Sequence, residues 1–133
     1  DFSSIKKVAS GGELSRLLLI MKSFISKNDK NKTIIFDEVD SGLSGKVSGV
    51  VADKIVEISK YNQVLAITHS PQVAAKADKH WKIVKNIKNS NIMESSIIEL
   101  NEEERIEEIA NIFSGSSLSE ASRKVAKELL LKK

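Results

Sequence analysis

The chain has 133 residues, of which 41% are hydrophobic and 29% charged, and its formal net charge is +3. That length suits one domain with one core, and the balance of apolar to charged residues excludes a disordered segment. No apolar run reaches the roughly 20 residues of a membrane-crossing helix, no signal-peptide pattern opens the chain, and the lack of cysteine excludes disulfides and thiolate metal sites. A cytosolic setting is compatible with all of this. The sequence starts at Asp1 without an initiator Met and is expected to be cut from a longer protein. The charge is unevenly spread: Lys76, Lys79, Lys82, Lys85 and Lys88 recur at every third residue, whereas 94–108 is strongly acidic. The lysines read as a solvated face, with a basic strip beside a phosphate backbone as the alternative.

In chain order, Ser10-Gly11-Gly12 leads into a helical pattern whose apolar face is Leu14, Leu17, Leu18, Met21 and Ile25. Ser10 and Glu13 have the spacing of a capping box. After the polar stretch 27–32, Thr33 to Phe36 reads as a short buried strand. Val47, Val50, Val51, Ile55 and Ile58 mark a second helix, which Tyr61 and Asn62 close. Val64 to Ile67 is a second buried strand, and Pro71 suits the first position of a short helix reaching about Ala77. Trp81 to Ile87, a turn at 89–91 and Ile92 to Leu100 read as a hairpin. Two helices finish the chain, one marked by Ile106, Ile109, Ala110 and Phe113, the other by Val125, Ala126, Leu129 and Leu130. Strand, helix and strand joined by short loops imply parallel pairing. The fold class is therefore α/β, a parallel sheet core with flanking helices and an appended β-hairpin.

Three places carry candidate chemistry. A glycine-rich turn at a helix N-terminus presents free N–H groups and suits an anion, above all a phosphate. No stretch supplies the P-loop pattern Gly-x4-Gly-Lys-Ser/Thr. Asp37 and Glu38 stand at the end of a buried strand, where the first can hold Mg²⁺ and the second can polarise a water. His69 follows the second strand and would share the same sheet edge, where ligands of parallel α/β sheets bind. A Ser-Asp-His triad is disfavoured because Ser10 is not set in Gly-x-Ser-x-Gly. The spacing of His69 and His80 does not suit a zinc site on one helix face.

These segments carry a resemblance. "ASGGELSR" (9–16) resembles the signature motif of the ABC-type ATPases, "IIFDE" (34–38) their Walker B strand, "VDSGLSG" (39–45) their D-loop, and "ITHS" (67–70) their switch-histidine segment. Together with "THSPQVAAKAD" (68–78), and with the closing "RIEEIANIFSGSS" and "AKELL", the wording is similar to the SMC-like branch that serves bacterial DNA double-strand-break repair. The resemblance implies an ATPase head whose two halves are separated in sequence by a long antiparallel coiled coil. Residues 1–133 would be the C-terminal half of that P-loop NTPase head, and 1–8 the exit from the coiled coil. Asp37 would bind Mg²⁺, Glu38 would be the general base, and His69 would contact the γ-phosphate. Ser10, Gly11, Gly12 and Glu13 would face ATP held by the opposite head, and Asp40 and Ser41 would line the D-loop between heads.

The implied ligands are ATP and Mg²⁺. The implied partners are the N-terminal head half, a second identical head and DNA, with no membrane, in the cytoplasm at the nucleoid. Ala9 stands where many ABC proteins have Leu, and Glu13 where transporters have Gln. The missing P-loop means that the chain alone is expected not to hydrolyse ATP. The alternatives are the head lobe of another SMC-like protein, which "PQVAAKAD" (71–78) disfavours, and a non-catalytic dimerisation module, which the intact Asp37–Glu38 pair disfavours. Half a head should also leave a sheet edge or apolar face uncovered and self-associate.

Overall fold

A computed structural model describes residues 11–26, 30–88, 92–115 and 118–131. Residues 1–8 and Ser10, assigned above to a coiled-coil exit and an N-cap, lie outside the described residues. In order the elements are α1 (Gly11–Ile25), β1 (Thr33–Asp37), α2 (Gly45–Ser59), β2 (Gln63–Ile67), α3 (Pro71–Lys76), β3 (Trp81–Lys88), β4 (Ile92–Glu99), α4 (Glu102–Ser114) and α5 (Glu120–Leu131). The expected order of strands and helices is thus the observed one.

β1 and β2 pair in parallel, from Thr33 opposite Gln63 to Asp37 opposite Ile67. The start of the pair is stitched by Gln63 N–H donating to the Lys32 carbonyl at 2.9 Å and Lys32 N–H donating to Asn62 Oδ1 at 3.0 Å. β3 and β4 form the antiparallel hairpin, with Trp81 opposite Glu99. The two pairs are separate two-stranded sheets among the described residues.

Two clusters of buried side chains hold these elements. The first gathers Leu19, Phe36, Val39, Val51, Ala52, Ile55, Ile58 and Val73, so α2 lays one helical stripe over the inner face of the parallel sheet. The second gathers Ala74, Ala75, Ile109, Ala110 and Ala126 where α4 and α5 meet. Short α3 joins them, because Val73 belongs to the first and the two residues after it, Ala74 and Ala75, to the second.

The helix α4 starts on a reciprocal cap. Glu104 N–H donates to Asn101 Oδ1 at 3.0 Å and Asn101 N–H donates to Glu104 Oε2 at 2.8 Å. It ends at Gly115, whose φ of 77° suits the residue that turns the chain out of a helix. Ser119 and Ser122 exchange comparable bonds at the start of α5, with Ser122 N–H donating to Ser119 Oγ at 3.1 Å and Ser119 N–H donating to Ser122 Oγ at 3.0 Å.

Two sequence expectations are corrected. The face of α1 drawn through Leu17, Leu18 and Met21 is not the buried one. Those side chains are 41%, 49% and 54% exposed, whereas Leu19, Ser23 and Ser26 are buried. Leu14 and Ile25, placed on the same face, have side chains outside those described. Apolar residues surround so much of α1 that α2 covers only one side of it. The two strands expected to be buried are not: Phe36 alone in β1 and no residue of β2 is buried, and Ile35 and Ile67 are 64% and 54% exposed. The register puts those two on one face, because alternate residues of paired strands share a side.

Candidate functional site

The carboxyl ends of β1 and β2 meet at one edge, and the candidate residues gather there. Asp37 is the last residue of β1, opposite Ile67, the last of β2. The Glu38 N–H donates to the Ile67 carbonyl at 2.9 Å, so the register continues one residue past the strand. His69 lies two residues beyond Ile67, in the loop leading to α3. Asp37, Glu38 and His69 are all exposed at this edge. Glu38 has φ 47°, in the left-handed region. That conformation costs a non-glycine residue about 1 kcal/mol, and such strain persists only where neighbours hold it.

The loop after β1 is a tight double turn. Ser41 N–H donates to the Glu38 carbonyl at 3.0 Å and Leu43 N–H to the Asp40 carbonyl at 3.2 Å. Gly42 sits at φ 72°, where a Cβ would be strained. Val39, fully buried, anchors the loop in the first core cluster. The signature-like helix is tied to it as well, since Arg16 Nη1 donates to the Ser41 carbonyl at 3.3 Å. Gly11 and Gly12 form the first residues of α1, and Glu13, in its first turn, is exposed.

Of the three acids in this stretch, the buried one is the last. Asp40 is 3% exposed, and its Oδ2 accepts a hydrogen bond from Thr68 Oγ1 at 2.5 Å. Its Oδ1 is buried without a partner among the described residues. Thr68 Oγ1 in turn accepts from Ser70 N–H at 2.9 Å. Asp37 and Glu38 need no such partner, because water solvates them.

The donor set bears on the metal. Among the described residues no group of three or more His, Asp or Glu is placed to hold an ion. A single exposed carboxylate at a strand end still suits Mg²⁺, which keeps several waters and takes one or two carboxylates plus phosphate oxygens. Asp37 fits that share of a site. The sequence reading missed Thr68 and Arg16. Thr68 left a signal, a hydroxyl beside the candidate histidine, but its partner is 28 residues away. Arg16 left none beyond its place in the motif.

No protein-family model matches the chain. Curated relatives do. The chain is 45% identical over 127 residues to the DNA repair protein RecN of Bacillus subtilis, covering 96% of this chain. It is 44% identical to the RecN of Halalkalibacterium halodurans over 126 residues and 44% identical to that of Rickettsia conorii over 128 residues. These covers are 95% and 96% of this chain. The chain spans 22 to 23% of the length of these relatives, at their C-terminal end. Among solved structures, one from work on the structural biochemistry of ATP-driven dimerisation and DNA-stimulated activation of SMC ATPases is similar, with TM-score 0.58 and 27% identity. The likeness covers 85% of this chain and 66% of the solved one. The proteins named RecN are homologues of this chain, and its α/β fold is that of an SMC ATPase neighbour.

Proposed function

We propose that the chain is the C-terminal half of the ATPase head of an SMC-like protein of DNA double-strand-break repair. The observation that supports this reading is the parallel register of β1 and β2, continued by Glu38 N–H donating to the Ile67 carbonyl, with Asp37, Glu38 and His69 at or just beyond the carboxyl ends of the two strands. Similarity to RecN proteins supplies the context.

In this reading Asp37 would hold Mg²⁺, in part through water, and a bound Mg²⁺ would supply positive charge for the phosphates of ATP. Glu38 orients the attacking water and takes its proton. His69 donates a hydrogen bond to a γ-phosphate oxygen. The N-terminus of α1, with Ser10, Gly11, Gly12 and Glu13, meets the γ-phosphate of ATP held by a second identical head, and Asp40 and Ser41 belong to the loop that lies between heads. A helix N-terminus clamps a terminal phosphate only while it is present, so hydrolysis releases the two heads.

The P-loop comes from the N-terminal half of the same head. The uncovered apolar residues of α1 and of the parallel sheet, Leu18, Met21, Ile35 and Ile67, mark the surface that this half covers. DNA is the substrate whose repair the heads serve, in the cytoplasm at the nucleoid. No helix among the described residues is long and apolar enough to cross a membrane.

The test is ATP turnover by the full-length protein carrying Glu38→Gln. The expected result is a fall of about a hundredfold or more with ATP binding retained. Unchanged turnover overturns the assignment.

A further inference from the structure

We infer that Thr68 and Asp40 form a positioning pair that fixes Glu38 and His69 relative to one another. The inference rests on the reading of Glu38 and His69 given above; it adds Thr68 and gives Asp40, already placed in the loop between heads, a positioning role. A threonine hydroxyl has one donor and can accept twice. In Thr68 the donor goes to Asp40 Oδ2 at 2.5 Å, and the oxygen accepts Ser70 N–H at 2.9 Å. The residues on both sides of His69 are therefore held by one hydroxyl group, although His69 itself is exposed.

The other end of the bond is equally fixed. Asp40 is 3% exposed and follows Val39, which is fully buried, so the loop after β1 cannot slide without exposing apolar surface. Burial also keeps the Asp40 carboxylate away from any nucleotide, so it acts through its neighbours. The two loops are joined twice in succession, by Glu38 N–H to the Ile67 carbonyl and by Thr68 Oγ1 to Asp40. Glu38 is left-handed between these ties, and they are what hold it there.

Removal of the Thr68 hydroxyl has a directed consequence. Asp40 Oδ1 already lacks a partner, so Oδ2 would lose its own and the whole carboxylate would stand buried without a donor. A buried group in that state moves toward water, and the Val39–Ser41 turn moves with it. Glu38 is one residue from that turn. Asp37, which would hold the Mg²⁺ of bound ATP, does not hang on this pair, whereas Glu38 and His69 meet the reacting γ-phosphate, so the effect falls on turnover more than on ATP affinity.

The experiment compares full-length protein with Thr68→Val, Thr68→Ser and Glu38→Gln, reading kcat, KM for ATP and the thermal midpoint. Thr68→Val is expected to lower kcat by about tenfold to a hundredfold with KM within about twofold of wild type, as small misplacements of reacting groups do. Thr68→Ser restores the hydroxyl and is expected to return kcat. If Thr68→Val leaves kcat unchanged while Glu38→Gln abolishes it, this inference fails and the proposed function stands. If Glu38→Gln leaves turnover intact, the proposed function fails first. A Thr68→Ser variant that melts like wild type yet turns over as slowly as Thr68→Val also overturns the pairing.

Discussion

Helix α1 and the pair α4–α5 solve opposite problems. α1 is rich in apolar residues and buries few of them: Leu19 is covered, while Leu17, Leu18, Ile20 and Met21 are 41 to 54% exposed. α4 and α5 are polar over most of their surface, yet they close on Ile109, Ala110, Ser122 and Ala126, all buried. Both start on reciprocal side-chain caps. Arg105 secures α4 further by donating to the Ala77 carbonyl at 2.7 Å, and Lys82 and Arg123 pair with Glu108 and Glu107. The C-terminal helices bury a shared core within this chain, with Phe113 and Leu131 at their ends left 52% and 84% exposed. The helix beside the candidate site has its polar loop ties in place but lacks an apolar cover, which is what half of a two-part head would show.

That contrast can be broken in several ways. Ile109→Ala should cost the isolated chain about 2–5 kcal/mol, the usual range for emptying a packed aliphatic site, as read by denaturant unfolding. A cost below about 1 kcal/mol would mean that α4 and α5 are not closed as described. Asn101→Ala removes one arm of the α4 cap and should cost about 1 kcal/mol in the same measurement.

A smaller effect concerns pH. Burial, and after it the Arg105 guanidinium, hold the His80 imidazole below its usual value, against an opposing pull from Glu108. The unfolded chain therefore takes up a proton more readily than the folded one. Stability should fall as pH drops below about 6.5 and level off once the folded form is also protonated. His80→Gln should flatten that slope, and an unaltered slope would assign it to other groups. Smallest of all, Met21→Ala on α1 should change the stability of the isolated chain by less than about 0.5 kcal/mol, because its side chain is half exposed there. In the full-length protein the same change should weaken the head, and an equal effect in both would deny α1 a cover.

Much of this was legible in the sequence, for physical reasons that differ by element. The two parallel strands are short apolar runs bounded by polar loops, and the two hairpin strands are runs separated by the polar stretch 89–91, which lies outside the described residues, so the pattern of the sequence found all four. The shared edge of Asp37, Glu38 and His69 followed from parallel pairing alone. The buried side of α1 was not legible. When Leu, Ile and Met occupy most of a helix surface, periodicity cannot tell the side packed within one chain from the side left for another. The fate of the three acids was hidden for a related cause. Asp40, not Asp37 or Glu38, is the buried carboxylate, because Val39 draws the loop inward and Thr68 supplies a donor from 28 residues away. Such a long-range pair has no local signature. The left-handed Glu38 is also a tertiary product, held by the Ile67 carbonyl.

The central claim is that this chain is one half of a head whose site edge another half completes. Amide hydrogen exchange over β1, β2 and α1 tests it, measured for the chain alone and for the chain co-expressed with the N-terminal half of the full-length protein. The account predicts that α4 and α5 exchange at the same rate in both, while β2 and α1 gain protection only when the other half is present. Equal protection of β2 and α1 in the two samples would contradict it.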